Sequence, residues 1–278
     1  MQIRVGYDIR FLVISRVPMV TMLNVHPSRE NDLIEPDRLN VSPNVPVEEF
    51  RDVFGNRSCR FVVPEGELRL SGSTLICDSG EPDRQDFGAR EVPVQELPTD
   101  TLPYLMNSRY CEVDLLSQAA AGLFGGGPRG YGRVQAICDW VHDKVTFGYP
   151  FARPTRTALN VYNEQVGVCR DFQHLAITLC RSLNIPARYA TGYLGDIGVA
   201  ASPSPMDFSA WFEAYLEDRW WTFDARHNAP RIGRVLMAVG RDATDVAITT
   251  SFGETRLLKF EVTTNEVSES EATLPVDC

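Results

Sequence analysis

The stretch Gly167-Val168-Cys169-Arg170-Asp171-Phe172 sets a cysteine at the mouth of a helical pattern. From Phe172 the apolar positions recur at Leu175, Ala176, Leu179, Cys180 and Leu183, the i, i+3, i+4, i+7 spacing of a helix with one buried stripe. Asn184 suits a left-handed cap and Pro186 forbids continuation, so the pattern has a defined end. A thiol in the first helical turn lies near the positive end of the dipole and near unpaired backbone N–H groups, which favours thiolate and suits a nucleophile. Asp171, at the third helical position, reads as a capping partner for those N–H groups, and Cys180 on the apolar stripe reads as core.

A nucleophile of this kind needs a base, and the chain has four histidines. His26 is remote in sequence, and His142 sits on a separate helical pattern as a surface or capping residue. His174 follows Cys169 by five residues, about 140° round a helix axis, so the two side chains diverge. His227 remains, in Asp224-Ala225-Arg226-His227-Asn228. A metal held by Cys169 with His174 or His227 would lack the close ligand spacing of metal centres, so no metal and no cofactor is expected.

The elements that must position these groups follow the cysteine helix. Phe208 to Leu216, then Glu217-Asp218, then Arg219 to Asp224 reads as an antiparallel hairpin. With a two-residue turn, Leu216 faces Arg219, Trp211 faces Asp224, and Ser209 lies diagonally from Asp224 on the same face. A slip of one residue would undo that juxtaposition.

The rest of the chain divides by periodicity. Residues 1–100 form a β-rich region, with strands expected over Gln2–Val13, Ser58–Val63 and Glu67–Ile76, loops between Val25 and Val53, and an acidic connection from Asp78 to Thr99. Helices are expected from a cap at Asp114 through Leu123, ended by Gly125-Gly126-Gly127-Pro128, and from Arg133 to Val145. After Pro186 strands return at Ala187–Leu194, in the hairpin, at Val246–Ser251 and at Leu257–Thr263, so residues 101–265 read as an α+β core. The acidic tail, 266–278, reads as disordered.

Bulk composition bounds the partners. A net charge of −10 argues against a nucleic-acid groove or an anionic membrane surface. The N-terminus alternates where a signal peptide would be continuously apolar, and no apolar run is long enough to span a bilayer. Seven cysteines, odd in number, scattered and without a C-x-x-C pair, fit a reduced cytoplasmic setting.

Several motifs together carry a resemblance. Gly167 to Phe172, then Leu183-Asn184-Ile185-Pro186-Ala187-Arg188-Tyr189 with Gly192-Tyr193, then Ala210-Trp211-x-Glu213-x-Tyr215, then Trp220-x-x-Phe223-Asp224 resemble the transglutaminase-like superfamily of bacterial proteins, over roughly residues 104–250. The β-rich first 100 residues are similar to the region that often precedes this core. The resemblance implies a papain-like α+β core with a Cys-His-Asp triad, in which a thiolate attacks an amide, an acyl-enzyme thioester forms, and water or an amine resolves it. By position it makes Cys169 the nucleophile and Asp224 the residue that orients the base. His174 recurs at its helical position in family members that keep the usual triad histidine, which points to packing.

One departure matters. The family usually has His-Ala-Trp where this chain has Ser209-Ala210-Trp211, and a hydroxyl is not basic near neutral pH. His227 is then the relocated base, oriented by Asp224 or Ser209, with Asn228 or the Cys169 backbone N–H assisting the oxyanion. Trp211, Asn228 and Gln173 complete the candidate substrate side of the site, Gln173 as a hydrogen-bonding support one turn deeper than Cys169. The expected function is cysteine-dependent acyl transfer, by hydrolysis or transamidation, on a peptide or small amide. The alternative is a non-catalytic binding protein on the same fold, in which the missing histidine marks the lost activity. The sequence sets no oligomeric state.

Overall fold

A computed structural model describes residues 1–201 and 205–267. The alternation at the start of the chain produces one long strand, β1 (Gln2–Val13), which buries Ile3, Val5, Tyr7, Ile9, Phe11 and Val13. It is followed by β2 (Val17–Thr21), β3 (Asn40–Ser42), β4 (Val47–Arg51), β5 (Arg57–Val63) and β6 (Gly66–Cys77). The stretch expected as loops between Val25 and Val53 therefore holds two short strands and a 3-10 turn at Pro27–Asp32. β2 escapes a periodicity reading because it is five residues long and contains Pro18.

Beyond the Asp78–Thr99 connection come α1 (Val113–Phe124), α2 (Tyr131–Lys144), β7 (Thr146–Phe147), α3 (Ala158–Glu164), β8 (Val166–Gly167) and α4 (Cys169–Ser182). Asp114 does not cap α1. Asn107 takes that role from outside, its Oδ1 accepting the Val113 N–H and its Nδ2 donating to Asp114 Oδ1, both at 2.8 Å. The chain continues through β9 (Ala187–Leu194), β10 (Ser209–Leu216), β11 (Arg219–Phe223), β12 (Arg234–Gly240), β13 (Thr249–Ser251) and β14 (Thr255–Glu266).

The central sheet has strand order β11-β10-β9-β12, all antiparallel. One face carries the helices, with Ala187, Tyr189, Ala210, Phe212 and Ala238 in their apolar cluster. Beyond the helices, Tyr193 and Val235 at the far end of β9 and β12 pack with Met237 among side chains of β1, β2 and β6 of the N-terminal region. The outer edge of β12 is closed by the N-terminal region: Asn56 exchanges two hydrogen bonds with the Val239 backbone, and the His26 N–H reaches the Leu236 carbonyl.

Helix α4 is the hub. The sequence reading gave it one buried stripe, yet every residue from Asp171 to Arg181 is buried, because α1, α2 and α3 cover the sides that the sheet leaves open. Such burial requires partners for its polar residues. Arg181 is 2% exposed and donates to the carbonyls of Ala187, Met106 and Arg241. Asn184 ends the helical segment with φ of 62°, the left-handed cap expected of it.

The final strand departs from the sequence grouping. β14, expected within the α+β core, pairs along β1 in a sheet of order β14-β1-β6-β3, supplying the edge that β6 leaves free. β13 joins the other N-terminal sheet, β13-β2-β5-β4. The tail from residue 268 onward, expected to be disordered, lies outside the described residues.

Candidate active site

Cys169 is the first residue of α4. Gly167 lets the chain pass tightly over the helix start, since a Cβ there would meet Asp171 Cβ at 2.6 Å. The Asp171 carboxylate accepts the Val168 N–H at 3.0 Å, the capping role expected of it, and Arg170 closes on the same carboxylate. The helix dipole favours the thiolate at Cys169, and burial opposes it. Burial pushes the thiol up to about 11, against the opposing charge of Arg226 and a hydrogen bond from the Arg170 N–H.

The hairpin brings the second group into place. Its pairing runs from Leu216 opposite Arg219 to Phe212 opposite Phe223, the expected register, with Glu217 at φ 55° in the two-residue turn. Continuing that register carries Asp224 to the level of Trp211. Asp224 is locked by five hydrogen bonds. Its Oδ1 accepts from Gln173 Nε2 at 3.0 Å and from the backbone N–H groups of Arg226 and His227 at 3.0 and 3.1 Å. Its Oδ2 accepts from His227 Nδ1 at 2.9 Å and from Arg234 Nη2 at 3.1 Å. Burial alone would favour the neutral acid, but the His227 bond and the Arg234 charge hold the carboxyl well below the usual carboxylate range.

The protonation pattern of His227 follows from its neighbours. An arginine can only donate, so the 3.1 Å contact between Arg226 Nη1 and His227 Nε2 makes Nε2 the acceptor. The ring proton is then on Nδ1, facing Asp224. This is the tautomer a general base requires.

Cys169, Ser209, His227 and Arg226 line one cavity of about 100 Å³, walled by Phe147, Tyr149, Leu194, Met206 and Phe208. The structure thus gathers all four candidate catalytic residues, with Asp224 behind His227. Asp224, not Ser209, holds the imidazole. The three residues assigned to substrate contact are elsewhere. Trp211 is 2% exposed and packs its ring against Arg234 behind the cavity, because its side of β10 faces the buried network. Asn228 turns away at φ 50° and bonds Gln135 and Asp139 of α2, so it cannot serve the oxyanion. Gln173 is fully buried between Asp224, the Ala210 carbonyl and the Ala225 N–H, a support and not a substrate contact.

The other histidines are accounted for. His174 is fully buried, stacked on Tyr110 at 4.8 Å, and accepts the Ala243 N–H through Nε2, and burial pushes its pKa down to about 3. It offers nothing to Cys169. His142 donates from Nδ1 to the Arg226 carbonyl at 2.8 Å, and His26 pairs with Ser28 at the start of the 3-10 turn.

Three residues at the site had no signal in the sequence reading. Arg226 lies between two residues that were singled out, Arg234 opens a strand that was not expected, and Asp83 lies in the connection. Arg234 Nε contacts both Asp83 carboxylate oxygens, at 2.8 and 3.1 Å, while its Nη2 reaches Asp224. An acidic residue directly after Pro82 in the connection, and an arginine opening a distant strand, are visible only as composition; their meeting is tertiary.

Residues 117–225 match the family model described as the transglutaminase-like superfamily. The uncharacterized protein ML0607 of Mycobacterium leprae (strain TN) is 31% identical over 117 residues, 41% of this chain and 42% of that protein, so the chain spans about two fifths of that relative. A candidate cysteine protease from Cytophaga hutchinsonii superposes with a TM-score of 0.81 at 32% identity, over 96% of this chain and 91% of that one. Among the described residues, no helix is long and apolar enough to cross a membrane.

Proposed function

Because the chain belongs to the transglutaminase-like superfamily, we propose that it is a cysteine-dependent acyl-transfer enzyme acting on an amide or peptide, with Cys169 as nucleophile, His227 as base and Asp224 as the residue that orients the base. The observation that carries this reading is the His227 ring, held by Asp224 through Nδ1 and lining the same cavity as Cys169.

The thiol is protonated at rest, so its proton passes to His227 Nε2 as sulfur bonds to the substrate carbonyl carbon. The Cys169 backbone N–H, at the first helical residue, is the donor for the developing oxyanion. His227 then returns the proton to the departing nitrogen as the C–N bond breaks, leaving a thioester. Water or an amine attacks that thioester, His227 takes the incoming proton, and the thiol is released. Ser209 leaves room in the cavity where the family's usual histidine would stand.

The disulfide at Cys77 argues against the reduced cytoplasmic setting expected from the scattered cysteines. The contact of Arg226 with Nε2 favours a second reading, a binding protein in which the base is permanently blocked. Iodoacetamide separates the two. In the enzyme reading Cys169 is alkylated well ahead of the buried Cys59, Cys111, Cys138 and Cys180, and His227→Ala slows that labelling by about 10²-fold. Equal labelling rates with and without the imidazole would establish the binding protein instead.

A further inference from the structure

The hydrogen bond from Arg226 to His227 presents a chemical conflict. The Nε2 lone pair is the one that must accept the Cys169 proton, and it is engaged by a guanidinium N–H at 3.1 Å. Proton transfer requires that this N–H find another acceptor.

The surroundings of Arg226 define that acceptor. The backbone at Arg226 is anchored twice, by its N–H to Asp224 Oδ1 and by its carbonyl to His142 Nδ1, so the side chain is the part free to change partner. The guanidinium stacks over the Phe147 ring, 4.0 Å from its centroid, a face along which a planar cation can slide. Among the described residues its contacts are an imidazole nitrogen and a ring, and no carboxylate pairs with it. The carboxylates that line the cavity are engaged elsewhere: Asp196 lies 4.0 Å from Arg231, and Asp207 accepts the Phe208 N–H. Arg231, with a side chain only 8% exposed, adds a second positive charge to the cavity wall, and its Nε is buried without a hydrogen-bond partner among the described residues. A half-exposed guanidinium that donates to a neutral ring gives up the stronger bond that a carboxylate would offer in the same plane.

We propose that Arg226 docks a carboxylate carried by the acyl part of the substrate, and that this carboxylate takes over the N–H now donated to His227 Nε2, releasing the base when an anionic substrate is seated. The substrate class is therefore an amide whose acyl portion bears a carboxylate close to the scissile bond. This rests on the reading of Cys169 as nucleophile and His227 as base.

The test compares two alkylating probes of similar size on the full chain, anionic iodoacetate and neutral iodoacetamide, following the Cys169 adduct by peptide mass mapping. Arg226→Gln is expected to lower the iodoacetate-to-iodoacetamide rate ratio about tenfold or more, the scale of a lost hydrogen bond to a charged group. Arg226→Lys, which keeps the charge but not the planar fork, is expected to recover only part of the lost ratio. A fall of both rates in the same proportion in Arg226→Gln overturns the proposal, leaving Arg226 as a cation that acts on the thiol alone. Full recovery by lysine overturns it as well, since a diffuse charge would then suffice. Failure of either probe to label Cys169 in a His227-dependent way defeats the underlying nucleophile reading, and the carboxylate site with it.

Discussion

Two arginines flank the His227–Asp224 pair, and they differ in every respect that matters. Arg234 is 7% exposed at its side chain, bonds Asp83 and Asp224, and lies against the Trp211 ring. Arg226 is half-buried at the cavity side, donates to His227 and has no carboxylate of its own among the described residues. One guanidinium is held through Nε and Nη2 between two fixed carboxylates; the other has a replaceable partner. A single residue type thus supplies rigidity behind the imidazole and adaptability in front of it, and burial with pairing decides which.

The contrast breaks first at Arg234. Replacing it with leucine leaves the buried Asp224 without its cation and the half-buried Asp83 without its partner, and the expected loss of stability is about 3–5 kcal/mol. Urea unfolding reads it directly; a loss under about 1 kcal/mol would mean that Arg234 is as replaceable as Arg226. Acid provides a second, gentler handle. The folded-state pKa of Asp224 is depressed, so its ionised form contributes stability above about pH 4 that is lost as pH falls from there through the folded value. Between about pH 4 and pH 2 the wild type should therefore lose more stability than Asp224→Asn, by up to about 1.4 kcal/mol per pH unit, in urea midpoints taken across that window. Parallel curves for the two proteins would contradict the charge state assigned to Asp224. The smallest effect belongs to Arg226. Its glutamine variant should unfold within about 0.5 kcal/mol of wild type, because no fixed ion pair is lost. A larger penalty would make Arg226 a structural residue like its counterpart.

How much of this was legible follows from the range over which each feature acts. The start of the cysteine helix and its end at Asn184 are local, set by caps and a proline, and they read directly. So does the hairpin register, because two turn residues fix every pairing from Leu216 to Phe212. His227 could be reached only through the resemblance, which marked Asp224 and the empty place at Ser209, among four histidines. Trp211 and Asn228 were misplaced because the strand face and turn direction near Asp224 are set by the buried Arg234 and by α2, neither of which adjoins them in sequence. Strand β12 starts after a turn at Gly233, φ 76°, and is bulged between Leu236 and Ala238, so no clean alternation announces it. Asp83 and Arg234 meet across the fold, and composition could only call one a linker residue. The thiol's surroundings were legible only in part for a similar reason: the dipole is a property of the helix, while the burial that opposes it belongs to the assembled cavity.

The pairing of β14 with β1 bears on how the chain comes to be folded. Ile3 lies opposite Glu266, so one edge of β1 is completed by β14, which follows the whole α+β core in sequence. During synthesis β1 can pair with β6 early, but its other edge stays open until the whole α+β core has emerged. Closure of that sheet is a late, long-range event, slow by topology and exposed to mispairing while it waits. Cutting the chain near residue 100 would strand the N-terminal region in that open state, so the β region and the core make one folding unit in time even where they form separate layers in space.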